Sequence, residues 1–298
     1  MHIRVMPLML MAAFSLLPVV AAASEIEVRI PSGDVVLAAT LRLPDDVPGP
    51  LPAIVVVHGS GKATRQQARV LGDRVLGSGF ATLTYDKRGT GESTGRYRDV
   101  NAKSSVEAFD ELAGDVVALA RWLAARPEVD SARVGLAGAS QAGWIIPLAA
   151  EREPRLRFGV VISGPAVTVG REIAYSELAG EDPGSRKGLG DEEIARIMAR
   201  FDGPEGYDPI PVLERTRLPM IWIQGEKDRS LPMAETLAAL ERLRTEKGRP
   251  IDVHVVPGVN HSLVNVSTGQ RVYVWPIADA WLRRTGVLAP RPSGATTH

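Results

Sequence analysis

Residues 133–150 spell out an apolar strand, Arg133-Val-Gly-Leu-Ala137, a pinch, Gly138-Ala-Ser-Gln-Ala-Gly143, and a helix, Trp144-Ile-Ile-Pro-Leu-Ala-Ala150. A strand that becomes a helix within so few residues must turn sharply, and Ser140 sits at the turn. A side chain there projects from the top of a sheet, and the N–H of the next residue, Gln141, is left free at the helix start, where an oxyanion would develop. Small residues at 138 and 142 let strand and helix pass closely. The string departs from G-x-S-x-G at one place: Ala142 replaces the second glycine, and Gly143 follows one residue late.

The surrounding pattern extends the same logic. Glu25–Ile30 and Val35–Leu43 read as strands joined by a Pro31-Ser-Gly-Asp34 turn. Ala53–Val57 reads as a strand buried on both faces, followed by a helix at Arg65–Leu76 and a strand at Phe80–Tyr85. A helix over about Ser104–Ala125 places Phe109, Leu112, Ala113, Val116, Ala120 and Leu123 on one stripe. Then come strand 133–139, helix 141–151, strands Phe158–Ile162 and Met220–Gln224, helix 233–246, strand Ile251–Val256 and a last helix near Arg271–Arg284. This alternation predicts an α/β fold, a mainly parallel sheet covered by helices on both faces, with ligands at the strands' carboxyl ends. Residues 168–217 break the rhythm, with one polar helix near Asp191–Arg200 and loops rich in Gly and Pro. We read them as a small lid inserted within one domain, 24–288, and residues 289–298 as a frayed tail.

The first 23 residues are a separate object. Arg4 supplies a positive charge, Met6–Val20 is apolar apart from Ser15, and Ala21-Ala-Ala23 offers a cleavage site before Ser24. This reads as a secretory signal peptide and predicts a secreted or periplasmic protein with no stable membrane insertion after cleavage. Thirty-five basic residues balance 35 acidic ones, without a basic run, which argues against nucleic acid as a partner. The absence of cysteine excludes disulfides and thiolate catalysis. No metal-binding or phosphate-loop signature is present, so no cofactor and no metal are expected. Asn260-His-Ser and Asn265-Val-Ser match the glycosylation sequon, which we take as chance because a glycan beside His261 would block the site.

A serine hydroxyl becomes a nucleophile only when a base takes its proton and a third group orients that base. Of five histidines, His2 is in the leader, His298 in the tail, His254 inside a strand, and His58 at a strand's end. His261 remains, in a loop after the last strand and therefore at the sheet's carboxyl edge. Asp228 follows the Met220–Gln224 strand after the turn at Gly225 and is the expected acid, with Glu226 the competing carboxylate. The glycines of His58-Gly-Ser-Gly61 let a backbone approach a substrate oxygen, and the Ser60 N–H is expected to join that of Gln141 in an oxyanion hole.

Together these segments, with Tyr85-Asp-Lys-Arg-Gly-Thr-Gly-Glu-Ser93 and Gly258-Val-Asn-His261, resemble the α/β-hydrolase superfamily. The resemblance is to its bacterial exported branch, similar to serine aminopeptidase-like and dienelactone-hydrolase-like esterases, and covers about 25–286. It implies Ser140, Asp228 and His261 as catalytic residues, with Asp86 and Arg88 bracing the nucleophile's surroundings. It also implies a serine hydrolase that cleaves small, soluble carboxylic esters through an acyl-enzyme. The alternatives are a serine peptidase, for which Glu172, Glu177 or Glu181 would hold a peptide amine, and a catalytically inactive binding protein on the same fold.

Overall fold

The computed structural model describes residues 24–288, apart from 46, 48 and 182–187. The expected signal peptide and tail lie outside the described residues. Eight strands form one sheet. The first two, β1 (Ser24–Ser32) and β2 (Val35–Leu43), make an antiparallel hairpin turned at Gly33, whose φ of 58° lies in the left-handed region that favours glycine. Next in the chain come β3 (Leu51–Val57), helix α1 (Arg65–Leu76), β4 (Ala81–Tyr85), α2 (Ser105–Ala124), β5 (Val129–Ala139) and α3 (Ala142–Arg152). After β6 (Gly159–Ile162) follow three helices, α4 (Val169–Ala179), α5 (Asp191–Met198) and α6 (Ile210–Arg215). The chain then runs through β7 (Met220–Gly225), α7 (Met233–Thr245), β8 (Ile251–Val256) and α8 (Trp275–Arg284).

The strand order is β1-β2-β4-β3-β5-β6-β7-β8, antiparallel at β1, β2 and β4 and parallel from β4 to β8. The central strands β3, β4, β6 and β7 are buried along their whole length, because helices cover both faces. One apolar cluster joins Phe109, Leu112, Val116 and Trp144 of α2 and α3 to the sheet. The other joins Val75 of α1 and Trp281 of α8 to the opposite face, through Ile54, Phe158 and Ile223. The chain has the α/β-hydrolase fold.

Some elements differ from the sequence reading. β5 begins four residues early, at Val129. Its polar start, Asp130-Ser-Ala-Arg133, is held by Asp130 accepting the Ala132 N–H and the Arg133 guanidinium. The last helix starts only at Trp275, since residues 259–271 are folded back by small bridges, Val259↔Asn265 and Val264↔Arg271. Both Asn260 and Asn265 use their side-chain oxygens to cap these turns. The 168–217 interval holds α4 and α6 as well as the polar helix, and α4 is capped by the Thr168 hydroxyl. Its faint amphipathic pattern escaped notice because its buried stripe, Val169, Gly170, Ser176 and Ala179, is mostly small or polar. The interval has its own small core of Ala179, Ile194 and Met198, flanked by Tyr175, Leu178 and Phe201.

Candidate active site

β5 ends between two partners, Gly138 beside Val57 of β3 and Ala139 beside Ile162 of β6. The ladder runs one residue further, because the Ser140 N–H donates to the Ile162 carbonyl at 2.9 Å. Yet the Ser140 carbonyl already accepts from the Gly143 N–H at 2.8 Å, which opens α3. Meeting both demands puts Ser140 at φ 55°, a left-handed conformation rare for a residue with a side chain. The glycines around it follow from close packing. A Cβ at 138 would lie 2.6 Å from the Ala142 methyl and closer still to the Val57 carbonyl oxygen. Gly138 thus makes the room that Ala142 uses. Gly143 packs on the chain at Gly164-Pro165, where a Cβ would come within 3.0 Å of the Gly164 Cα.

The loop after β8 brings His261 to Ser140. Its Nε2 lies 3.1 Å from the Ser140 Oγ, and its Nδ1 lies 2.8 Å from Asp228 Oδ2. The other Asp228 oxygen accepts the N–H groups of Ser230 at 2.9 Å and Leu231 at 3.2 Å. The carboxylate, fully buried, is therefore fixed with one oxygen turned to the imidazole. Glu226 lies elsewhere: it accepts the Gly258 N–H at 2.8 Å and pairs with Lys227. It steadies the start of the loop that carries His261. Burial of the His261 ring opposes its charged form, but the hydrogen bond and charge of Asp228 outweigh that, with help from Glu172 and Glu181. The net effect raises its pKa.

The 58–61 loop crosses directly above the Ser140 turn. A Cβ at Gly59 would sit 3.3 Å from the Ala139 carbonyl oxygen and 3.6 Å from the Ser140 Cβ. His58 fastens the loop's root by donating from Nε2 to the Tyr85 carbonyl at 2.5 Å, with its ring edge-on to Tyr85. Burial lowers the His58 pKa to about 4, so the ring is neutral near pH 7. The N–H groups of Ser60 and Gln141 have no acceptor among the described residues.

The segment after β4 is arranged differently from expectation. Asp86 binds the Arg65 backbone N–H and guanidinium and the Glu92 N–H, and Arg88 pairs with buried Asp115. Both turn to the α1 and α2 sides. Lys87, between them, turns instead to the 59–61 loop and the start of α3. Its ammonium lies 2.6 Å from the Gly59 carbonyl, 3.0 Å from the Gly61 carbonyl and 3.0 Å from the Gln141 Oε1. Sequence reasoning gave Lys87 no role. No local signal marks it, since a lysine just past a strand's end reads as a solvent-facing charge.

The interval after β6 is anchored beside this site. Arg171 of α4 makes a two-pronged ion pair with Glu235 of α7, at 2.8 and 3.0 Å. Arg229, next to Asp228, pairs with Asp191 of α5 and donates to the Leu189 carbonyl at 2.7 Å. Among the described residues no group of three His, Asp or Glu side chains is poised to hold a metal ion. No helix there is long and apolar enough to cross a membrane.

A hydroxyl, an imidazole and a carboxylate in hydrogen-bonded sequence, beside two unengaged N–H groups, suit nucleophilic attack on a carbonyl carbon. The sequence model of the prolyl oligopeptidase family matches residues 73–285. A "putative phosphoribosyl transferase" of Mycobacterium tuberculosis is 31% identical over 138 residues, which are 46% of this chain and 29% of that protein. A "probable dipeptidyl-aminopeptidase B" of Fusarium vanettenii is 27% identical over 201 residues, 65% of this chain and 20% of that one. The chain thus spans less than a third of these relatives' length. Among solved structures, a "putative dienelactone hydrolase" of Klebsiella pneumoniae superposes with a TM-score of 0.61 at 19% identity. The match covers 89% of this chain and 98% of that one, a likeness of fold.

Proposed function

The chain belongs to the prolyl oligopeptidase family of the α/β-hydrolase superfamily, and from that premise we propose that it is a serine hydrolase cleaving carboxylic esters of small, soluble molecules. The observation that carries this reading is the Ser140–His261–Asp228 relay, at 3.1 and 2.8 Å. Ser140 Oγ attacks the ester carbonyl while His261 Nε2 takes its proton. Asp228 keeps the other ring nitrogen protonated and stabilises the imidazolium. The N–H groups of Gln141 and Ser60 receive the oxyanion. His261 then returns its proton to the departing alkoxide, leaving an acyl group on Ser140, and water releases the acid by the same steps in reverse. No step requires a metal or cofactor.

Short acyl groups suit the site, because the apolar side chains after β6 are largely engaged in their own small core. We further propose that residues 168–217 act as a lid that selects the acyl group, and that cleavage before Ser24 releases the enzyme outside the cytoplasm.

A second reading has one observation in its favour. The charges of Glu172 and Glu181 help to raise the His261 pKa, and carboxylates are the groups that would hold the amine of a peptide. The test is a fluorophosphonate probe followed by a substrate panel. Labelling at Ser140 supports a serine enzyme, and labelling elsewhere or none refutes it. Faster turnover of short p-nitrophenyl and alkyl esters than of aminoacyl amides supports the esterase, and the reverse ranking favours the peptidase.

A further inference from the structure

Lys87 is a buried charge that the Ser140–His261–Asp228 relay leaves unused. Burying an ammonium is costly unless every donor finds an acceptor. An ammonium has three N–H donors, and here three acceptors surround it: the carbonyls of Gly59 and Gly61 and the side-chain oxygen of Gln141. The Tyr97 ring closes another side, its centroid 5.4 Å from Nζ. The acceptors are uncharged, so this is no ion pair held for charge balance.

What they belong to gives the arrangement its meaning. The Gly59 carbonyl and the Ser60 N–H are the two ends of one peptide unit. The described chain contains no cis peptide bond, so in that planar unit the two groups point in opposite directions. Fixing the oxygen on Lys87 therefore fixes the direction of the N–H. A charge-assisted bond at the oxygen also polarises the peptide and strengthens its N–H as a donor. The third bond ties the same ammonium to the side chain of Gln141, whose backbone N–H starts α3. We propose that Lys87 is a positioning residue for the oxyanion pocket: by gripping the Gly59 carbonyl and the Gln141 side chain it aims the Ser60 and Gln141 N–H groups at one point. The proposal rests on the reading of Ser140 as nucleophile.

The protonation state matters, because a neutral amine offers only two donors to three acceptors. Burial lowers the Lys87 pKa to about 7. The titratable groups around it do not replace it. His58, from the loop after β3, is itself held neutral, and burial raises the phenol of Tyr97. Its chain neighbours Asp86 and Arg88 are engaged with Arg65 and Asp115. Deprotonation above about pH 7 should loosen the pocket without unfolding the chain. A folded pKa below the unfolded one makes Lys87 favour the folded state increasingly as pH rises between the two values. Activity and stability should then move in opposite directions.

The experiment compares the wild type with Lys87→Met, which keeps the side chain's length and removes its donors. Active sites are counted by the end-point of fluorophosphonate labelling, and kcat and KM for p-nitrophenyl acetate are followed from pH 5 to 9. We expect Lys87→Met to lower kcat per labelled site roughly 10–100-fold, the scale of a misaimed catalytic group. KM should stay within about threefold, since the pocket acts in the transition state. The wild type should lose kcat above about pH 7 with no fall in Tm, and the variant should lack that alkaline limb. A variant kcat within twofold of the wild type, a loss accounted for by fewer labelled sites, or an unchanged alkaline limb overturns the proposal. Should Lys87→Met fail to fold, the wild-type profile decides: a kcat that stays level to pH 9 refutes it. A wild type that takes no label at Ser140 removes the nucleophile reading instead, and this proposal with it.

Discussion

Ser140 holds its strained backbone because the Ile162 and Gly143 bonds fix it from both sides, so its side chain is free to change without altering the turn. Ser140→Ala is expected to fold with an unchanged Tm and to lose roughly 10⁴-fold in kcat for ester hydrolysis. Circular dichroism and steady-state rates check both halves. The two carboxylates after β7 separate at the same scale. Asp228→Asn keeps the bonds to Ser230 and Leu231 but favours the wrong imidazole tautomer, and should also cost about 10⁴-fold in kcat. Glu226→Gln touches an exposed carboxylate whose bond to the Gly258 N–H the amide oxygen can replace, so kcat within about threefold of the wild type is expected. The opposite ranking would place Glu226 as the acid.

At the scale of elements, the strand-to-helix junction tolerates one methyl and not two. Ala142 already occupies the space that Gly138 leaves, so Gly138→Ala must push α3 away from β3 and should destabilise the fold by about 1–3 kcal/mol. Urea titration with an unchanged m-value would show it. In the interval after β6, Tyr175 packs against the small core of α4 and α5, whereas Ile197 is exposed. Tyr175→Ala should change the ranking of kcat/KM among acyl chains by about 1–3 kcal/mol per methylene-sized contact, and Ile197→Ala should leave it alone. If Tyr175→Ala preserves the ranking, specificity is set by the sheet-edge loops instead.

For the whole molecule, two histidines shift in opposite directions and give pH two further points of action. His261 must be neutral to accept the proton of Ser140, so kcat/KM should fall as acid protonates the ring, and Asp228 moves that fall upward in pH by raising its pKa. Asp228→Asn removes the groups' main raising influence and should shift that acid limb downward. His58 is depressed to about 4, so its contribution to stability is present above the unfolded value near 6.5 and is lost as pH falls toward 4. Tm should therefore decline across that window, with a His58→Asn variant showing a shallower slope. The proposed export is tested by N-terminal sequencing of protein recovered outside the cytoplasm. Ser24 as first residue is expected, and an intact Met1 on membranes would refute it.

The parallel sheet and the order of its elements were legible because burial on both faces demands unbroken apolar runs, as in Ala53–Val57, and because helix stripes such as Phe109 to Leu123 repeat every turn. Ser140, Asp228 and His261 were also legible as candidates, since each closes a strand or follows one, and strand ends share one edge. Their juxtaposition was not, for it depends on how Asn260 and Gly258 fold the last loop back over β7. The polar start of β5 and the helix α4 were missed because their residues are fixed by side-chain caps and small-residue contacts, which leave no periodic apolar trace. Lys87 marks the boundary most clearly. Local pattern assigns a lysine to solvent, and only the tertiary convergence of two loop carbonyls and one glutamine side chain makes a buried ammonium there stable.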